Sequence, residues 1–437
     1  MKIHFIGIGG IGISGLAQYM HFRGHTVSGS DITDTIITKK LRSMGIEVTV
    51  PHSANAITNQ DLVVHSAVIR PDNPEIMEAK SKHIEVLARR EALVKILEDR
   101  KVYSVAGAHG KSTTTAILTA IMDGSAIIGA EAKSFSSNVR YNDSTDVMLF
   151  EADESDGSFL NSNPYCAIVI NAEPEHMEYY DYNYDRFYDS YKKFIESASL
   201  KVLNGEDEFL ATLIDKVDAK WLYPSKDISN IKFTLIDNQP YTKFTLKDLG
   251  SFSVWGFGKH IALDASLAIL SANESMDIED IRKKILTFKG IKKRFDILSS
   301  EKECVIIDDY GHHPTEIKAT FESVKEYAHL KNFSKITAIW QPHKYSRTID
   351  NLDAFVKCFD GSDELIILPV WKAGEKHKDI EFEKEFKNYN LTMADKIKRE
   401  NNTIKIIKDN KELKTLDKNL IISFGAGDIT YQIRGII

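Results

Sequence analysis

Two stretches of this chain place glycines where a backbone must approach something charged. The first is Gly7-Ile8-Gly9-Gly10-Ile11-Gly12. It satisfies GxGxxG between a β-branched run over residues 2–8 and helical content over 11–23. Such a turn lets peptide N–H groups reach a pyrophosphate, whose charge then sits at the positive end of the helix. Asp31 lies 19 residues beyond Gly12, at the end of the next short strand, where an acid that accepts from a ribose hydroxyl belongs. The spacing fits a dinucleotide such as NAD, another nucleoside diphosphate, or a tight structural turn. The second stretch is Gly107-Ala108-His109-Gly110-Lys111-Ser112-Thr113. The usual phosphate loop has four residues between its glycines, and that register would need glycine where Val105 stands. Strand, Gly-Lys-Ser and helix nevertheless keep their order. Lys111 is placed to reach the β- and γ-phosphates, and the Ser112 hydroxyl to ligate Mg²⁺. Two such loops argue against a simple dehydrogenase, which has no use for a triphosphate loop.

Acidic and histidine-bearing runs follow other apolar strands. Glu151-Ala152-Asp153-Glu154-Ser155-Asp156 and Asn171-Ala172-Glu173-Pro174-Glu175-His176 belong at the sheet edge where the phosphate loop opens. Carboxylates and a histidine there can hold a metal against a transferring phosphate, or form a solvated acidic loop. Near the C-terminus, Asp308-Asp309-Tyr310-Gly311-His312-His313-Pro314-Thr315, Gln341-Pro342-His343-Lys344-Tyr345-Ser346-Arg347-Thr348 and Gly425-Ala426-Gly427-Asp428 each fall just past an expected strand. Polar substrate contacts, helix capping and core packing compete for these residues.

The elements that must position these groups alternate strand and helix, which gives parallel sheets covered by helices. Strands are expected near residues 2–8, 25–30, 46–50, 62–65, 102–106, 147–150 and 167–170, and again near 304–307, 335–340, 365–370, 403–407 and 420–424. Pro314 opens a helix from its favoured first position. Residues 231–254 alternate polar and apolar side chains, suggesting an antiparallel appendage. The reading is an α/β protein of three domains. These are a Rossmann-like N-terminal domain over 1–100, a central P-loop ATPase-type α/β domain over 101–294, and a C-terminal Rossmann-like α/β domain over 295–437.

The 437 residues are 43% hydrophobic and 27% charged, enough for a sizeable core and against intrinsic disorder. Charge is 56 Lys+Arg against 63 Asp+Glu, a net of −7, which argues against coating nucleic acid or an anionic membrane. Cys166, Cys304 and Cys358 are far apart with no CxxC pair, reading as buried free thiols of a reducing compartment. No apolar run approaches the ~20 residues of a membrane helix. Residues 1–17 resemble a signal peptide superficially, but five glycines and a single charged residue, Lys2, fit a nucleotide loop better. A cytoplasmic protein without membrane insertion is expected.

Taken in order, GIGGIGISGLA, SGSD, GAHGKSTTT, EADESD, EPEHME, DDYGHHPTE, QPHKYSRT and FGAGDI resemble the Mur ligases of bacterial peptidoglycan synthesis over nearly the whole chain. The resemblance implies that the first motif holds a UDP diphosphate rather than NAD, through Gly9, Gly10, Ile11 and Gly12. Ser30, Asp31, His52, Ser66 and Arg89 would be further UDP-sugar contacts. The central domain would bind ATP through Gly107, Ala108, His109, Gly110, Lys111, Ser112 and Thr113, with Arg294 reaching its phosphates. The implied reaction is ATP-driven amide formation between the carboxylate of UDP-N-acetylmuramate and L-alanine, through an acyl phosphate and a tetrahedral intermediate. A murein tripeptide as the amine is the alternative, and the Glu-Ser-Asp of EADESD and the Tyr-Gly of DDYGHH favour alanine. By the same resemblance Lys111 neutralises the γ-phosphate, while Ser112, Glu151 and His176 ligate Mg²⁺, with Glu154 and Glu173 as alternatives to Glu151. His343 and Arg347 would orient the substrate carboxylate or acyl phosphate. Asp309, Tyr310 and His313 would surround the amino acid, in a domain that helps close the site. A bacterial cytoplasmic monomer or weak homodimer is expected.

Four departures from the family pattern stand out. Ala108 and Ser112 replace threonines, and Lys344 stands where arginine is usual, losing bidentate geometry. In Gly258-Lys259-His260-Ile261-Ala262-Leu263-Asp264 the family carries His-Asn-x-x-Asn, whose asparagines contact adenine. Ile261 has no side-chain donor or acceptor, and Asp264 when ionised only accepts.

Overall fold

A computed structural model describes residues 1–437. The N-terminal apolar run forms β1 (Lys2–Ile6). It stops two residues earlier than its composition suggests, because Gly7, at φ +80°, turns the chain. The Gly7 and Ile8 N–H groups then donate to Ser30 O at 2.8 and 2.9 Å. With β2 (Thr26–Ser30), β3 (Glu47–Thr49), β4 (Leu62–His65) and β5 (Glu85–Ala88) it forms a parallel sheet in the order β3-β2-β1-β4-β5. Helices Ile11–Phe22, Ile36–Ser43, Pro74–Ser81 and Arg89–Leu97 accompany these strands.

A second sheet is built from β6 (Lys101–Ala106), β7 (Ser125–Ala132), β8 (Ser137–Arg140), β9 (Val147–Glu151), β10 (Pro164–Val169), β11 (Leu200–Asn204) and β12 (Lys220–Leu222). Its order is β12-β11-β10-β6-β9-β7-β8, parallel except for the β7–β8 pair. The phosphate loop leaves β6, whose neighbours are β9, ending at Glu151, and β10, leading to Asn171. All three functional runs therefore emerge at one sheet edge, where α/β ligand sites form.

One continuous apolar core, from Ile3 and Leu16 through Val102 and Phe150 to Val217, runs through both sheets. Each fully buried aliphatic or aromatic side chain in it contributes roughly 1.5–3 kcal/mol. The chain accordingly divides into two compact units. The first holds Met1–Asn230, Phe244–Val254 and Ala262–Lys289, and the second Ile231–Lys243, Trp255–Ile261 and Gly290–Ile437. The alternating segment after residue 227 forms three strands, β13 (Ile228–Ile236), β14 (Gln239–Leu246) and β15 (Gly250–Trp255), in a sheet of their own.

The second unit contains β16 (Asp296–Ser300), β17 (Cys304–Asp309), β18 (Ile336–Trp340), β19 (Glu364–Ile367), β20 (Leu391–Met393), β21 (Lys396–Glu400), β22 (Thr403–Lys408), β23 (Lys411–Leu416) and β24 (Asn419–Phe424). Six of them form a sheet in the order β16-β17-β24-β18-β19-β20, parallel except for the edge pair β16–β17. Residues 403–407 are strand as expected, but they lie outside this sheet. β22 is the middle of an antiparallel meander with β21 and β23. Its alternation explains the difference: Ile404 and Ile406 are buried while Lys405 between them is not, the signature of a one-faced strand.

All three cysteines are free and buried. Burial pushes the Cys166 and Cys358 thiols up to about 12, which keeps them protonated and unreactive. No helix is long and apolar enough to cross a membrane.

Candidate active site

The phosphate loop is held by its glycines. Gly107 has φ +146° and Gly110 φ +85°, conformations that side chains rarely adopt. Gly110 caps the helix Lys111–Ile121, so that helix's free N–H groups face the loop. Asn171, on the neighbouring strand's exit, accepts from His109 N at 3.1 Å and donates to His109 O at 3.2 Å. Lys111 folds over the loop, its Nζ donating to Gly107 O at 2.5 Å, Ala108 O at 3.2 Å and Glu154 Oε1 at 2.9 Å. Burial opposes its charge, yet Glu154, with Glu151 and Asp153 beyond it, holds the Lys111 pKa above the ordinary lysine value.

Carboxylates ring that lysine. Glu151 Oε1 accepts from Ser112 Oγ at 2.9 Å and its Oε2 from Gly129 N at 2.6 Å. Burial raises its pKa against both bonds and against Lys111. Glu154 is 1% exposed; burial raises its pKa too, against Lys111. Its second oxygen, Oε2, is buried and has no hydrogen-bond partner. Donor atoms of Glu154, Glu175 and His176 lie within 4.8 Å of one another. A hard divalent cation prefers such oxygen ligands, and the orphaned Glu154 oxygen makes the residues present fit one. Ser112 and Glu151 are thus brought together, whereas His176 joins Glu154 and Glu175 in a second group. Glu173 is exposed and sits 3.5 Å from His109 Nε2. Glu175 stands next to an expected ligand but was not singled out by its position in EPEH.

Behind the loop, a Cβ on Gly110 would lie 2.6 Å from Asp264 Oδ1. Asp264 is therefore packed against the phosphate loop, and burial pushes its carboxyl well above the usual range.

The first glycine turn is arranged differently. Asp31 Oδ2 accepts from Gly9 N at 2.8 Å, so this acid lies on the turn itself. A Cβ on Gly12 would meet the Arg89 guanidinium, which therefore covers the first turn of helix Ile11–Phe22. Arg89 in turn donates to Asp153 at 3.1 Å, to Asp156 at 2.8–2.9 Å and to Ser158 Oγ at 2.8 Å. One side chain thereby links the glycine helix to the EADESD run. Ser66 packs its Cβ 3.1 Å from where a Gly7 Cβ would be. Ile11, Ile32 and Val68 expose apolar surface near these turns. Ser30 and His52 are hydrogen-bonded to each other at 2.8 Å and, through Ser30, to the buried Glu75.

In the second unit, Glu316 organises the DDYGHH run. It accepts from the N–H groups of His312 and His313 at 3.1 and 3.3 Å, and from Arg294 at 3.1 Å. Burial opposes its charge, but Arg294 and His312 bring Glu316 down to about 2. Its signal was the capping-box position three residues into a helix begun by Pro314. Asp309 accepts from Phe295 N at 2.8 Å and Gly311 N at 2.7 Å, and burial lifts it to about 6. Its carboxylate is therefore spent on two backbone donors and the Thr320 hydroxyl, 3.3 Å from Oδ2. The Tyr310 and His312 rings meet edge-on at 5.4 Å, and His312 meets His343 at 5.7 Å. Arg347 lies 3.1 Å from His343 Nδ1. Burial lowers His312 to about 4, which keeps it neutral at pH 7. Tyr310, His343 and Arg347 thus form one cluster with His312, a residue that was quoted in its motif but given no role there.

Comparison with known proteins matches these features. Residues 2–101 match the model for the Mur ligase family catalytic domain, and residues 293–427 that for the Mur ligase glutamate ligase domain. The chain is 53% identical over 434 residues to UDP-N-acetylmuramate–L-alanine ligase of Campylobacter curvus, covering 99% of each. It is 52% identical to the enzyme of the same name from Helicobacter pylori strain P12, covering 99% of this chain and 96% of that one. Among solved structures, UDP-N-acetylmuramate–alanine ligase from Thermotoga maritima superposes with a TM-score of 0.82 at 26% identity, covering 99% and 97%. A murein peptide ligase from Psychrobacter arcticus reaches 0.64 at 19% identity, covering 100% and 99%, a likeness of fold. With two glycine turns opening helices and these relatives along its full length, the chain belongs to the Mur ligase family.

Proposed function

We propose that this chain joins L-alanine to the carboxylate of UDP-N-acetylmuramate, with ATP cleaved to ADP and phosphate. One observation carries the reading. A lysine-bearing phosphate loop and a glycine turn, linked by Arg89, share one unit of a chain half identical to L-alanine ligases over 99% of its length. The murein peptide ligase alternative rests on a more distant likeness.

A carboxylate is a poor electrophile because its oxygen leaves badly. Transfer of the γ-phosphoryl group breaks its bond to the ADP oxygen and forms one to the muramyl carboxylate. The alanine amine, having lost a proton, then attacks the acyl carbon, and phosphate departs. Positioning and charge neutralisation supply most of the acceleration. Lys111, already poised over the loop carbonyls, neutralises the γ-phosphate. Gly107–Thr113 present N–H groups to the triphosphate, and Arg294 adds charge to the phosphates. Gly9, Gly10, Ile11 and Gly12 hold the diphosphate of the UDP-sugar, with Ser30, Asp31, His52, Ser66 and Arg89 around its nucleotide. His343 and Arg347 orient the carboxylate or acyl phosphate, and Asp309, Tyr310 and His313 shape the amino-acid site.

Glu154, Glu175 and His176, with Ser112 in the first turn of the helix after the loop and Glu151 at the end of β9, would hold Mg²⁺. The cation, when bound, neutralises phosphate charge. We place the protein in the bacterial cytoplasm as a monomer or weak homodimer, with domains over 1–100, 101–294 and 295–437. The test is phosphate release with each component omitted in turn. Release should need ATP, Mg²⁺, UDP-N-acetylmuramate and L-alanine together; release indifferent to the amino acid overturns the reading, and preference for a murein tripeptide selects the alternative.

A further inference from the structure

Glu75 lies behind the first glycine turn and takes no part in the roles above. It stands in the first turn of helix Pro74–Ser81, where Asn73 Oδ1 accepts from its N–H at 2.9 Å, and its side chain is wholly buried. A buried carboxylate is tolerated only where its oxygens are satisfied. Ser53 N donates to Oε1 at 2.9 Å, and Ser30 Oγ donates to Oε2 at 2.5 Å. His4 Nε2 lies 3.4 Å and His52 Nδ1 3.7 Å from the same Oε2. Burial works against its charge, but the bonds from His4, Ser30 and Ser53 keep Glu75 below the usual glutamate range.

An ionised carboxylate only accepts, so the Ser30 hydroxyl proton points at Glu75. The Ser30 oxygen is left with lone pairs alone. His52 Nδ1, 2.8 Å from it, completes that contact by donating. A neutral imidazole with its proton on Nδ1 carries its lone pair on Nε2, and that nitrogen becomes an acceptor. Ser30 also precedes Asp31 and accepts the Gly7 and Ile8 N–H groups through its carbonyl, so the relay passes beside the turn.

We propose that Glu75 is a positioning residue. Through Ser30 it fixes His52 as the Nδ1–H tautomer, so that His52 Nε2 accepts a hydrogen bond from a ribose hydroxyl of the bound nucleotide. The ligand half of this rests on the nucleotide-turn reading; the tautomer half does not. Nitrogen-15 NMR of histidine-labelled full-length protein reads the tautomer without ligand, and calorimetry with UDP and 2′,3′-dideoxy-UDP reads the contact. The wild type should show His52 protonated at Nδ1 and prefer UDP over the dideoxy form. In Glu75→Gln the single amide oxygen cannot accept from Ser53, Ser30 and His4 together, so the tautomer should shift toward Nε2–H. The ribose preference should shrink about tenfold, with ATP affinity unchanged. A purely structural role for Glu75 would lower the melting point and leave the ribose preference of the folded protein intact. Ser30→Ala breaks the same relay should Glu75→Gln fail to fold. A wild-type Nε2–H tautomer, or an unchanged ribose preference in both variants, overturns the proposal. An Nδ1–H tautomer in a protein that binds no uridine nucleotide leaves the relay standing and overturns the nucleotide reading instead.

Discussion

The two glycine turns of the first unit share a plan and differ in what surrounds them. Each follows a central parallel strand and opens a helix whose free N–H groups face the turn. The first is flanked by an aspartate bonded to its backbone, Asp31 on Gly9, and by a guanidinium fixed in place by Asp153, Asp156 and Ser158. The second carries a flexible ammonium, Lys111, among several carboxylates. A planar guanidinium held through Nη2 by two carboxylates and a hydroxyl suits a group that is kept still. A compact charge on four methylenes suits one that moves. Under the proposed function the difference separates recognition from transfer: the first turn would bind a diphosphate that does not react, and the second would follow a phosphate that does.

Lys111→Ala tests this division with the largest expected effect. Removing the only cation on the loop should lower kcat by about 10³-fold, in the range seen when one charge-stabilising group is lost, while UDP affinity stays unchanged. Steady-state phosphate release and calorimetry with UDP separate the two. An equal loss in both would mean that the turns are not independent.

Arg89→Ala attacks the link between them. It removes the guanidinium from the first turn and leaves Asp153 and Asp156 without their partner, close to Lys111. We expect kcat/KM for the UDP-sugar to fall about 100-fold, a few kcal/mol of lost charge-assisted contact. Arg89→Lys should recover less than half of it on the energy scale, since lysine lacks the planar fork that keeps Nη1 over Gly12 while Nη2 bonds Asp153 and Asp156. Full recovery by lysine would reduce Arg89 to a point charge.

The ring of carboxylates can be divided more finely. Both Glu173 and Glu175 approach His109 Nε2, at 3.5 and 3.8 Å, but Glu175 also joins Glu154 and His176, whereas Glu173 is exposed and lies outside that group. Glu175→Gln should therefore raise the Mg²⁺ concentration for half-maximal activity about tenfold, and Glu173→Gln should leave it within twofold. The reverse order would move the metal to the other side of the run.

Both turns were legible in the sequence because their glycines, lysine and helix starts are local signals. The central strand pattern was legible too, since β6, β9 and β10 are buried on both faces and read as plain apolar runs. What lay beyond reach was the backing of each turn. Glu75 is 45 residues from Ser30 in sequence and 71 from His4, and only the sheet order brings β1 and β2 beside the start of helix Pro74–Ser81. Asp264 reads locally as a departure at an adenine-contacting position; the fold also places it against Gly110, more than 150 residues away. Glu316 was hidden differently, as a helix-capping residue whose second task is to organise Arg294 and two histidine amides. The strand over 403–407 was legible but its meander was not, because a strand's period does not say which sheet it joins.

The two backing carboxyls extend the comparison and give its smallest test. Glu75 behind the first turn is paired and held below the usual glutamate range, whereas burial pushes the carboxyl of Asp264 behind the second well above its own. In the unfolded chain Asp264 ionises near pH ~4. From there up to its raised folded value, the native state therefore holds one more proton than the unfolded state. Stability must fall as pH rises through that window, and asparagine has no proton to lose. Asp264→Asn should then raise the unfolding midpoint by about 2 °C at pH 8, with the gain fading as the pH approaches 4. Scanning fluorimetry across that range reads the slope, and parallel curves for the two proteins would show that Asp264 is ionised against the phosphate loop, making the two turns alike in their backing after all.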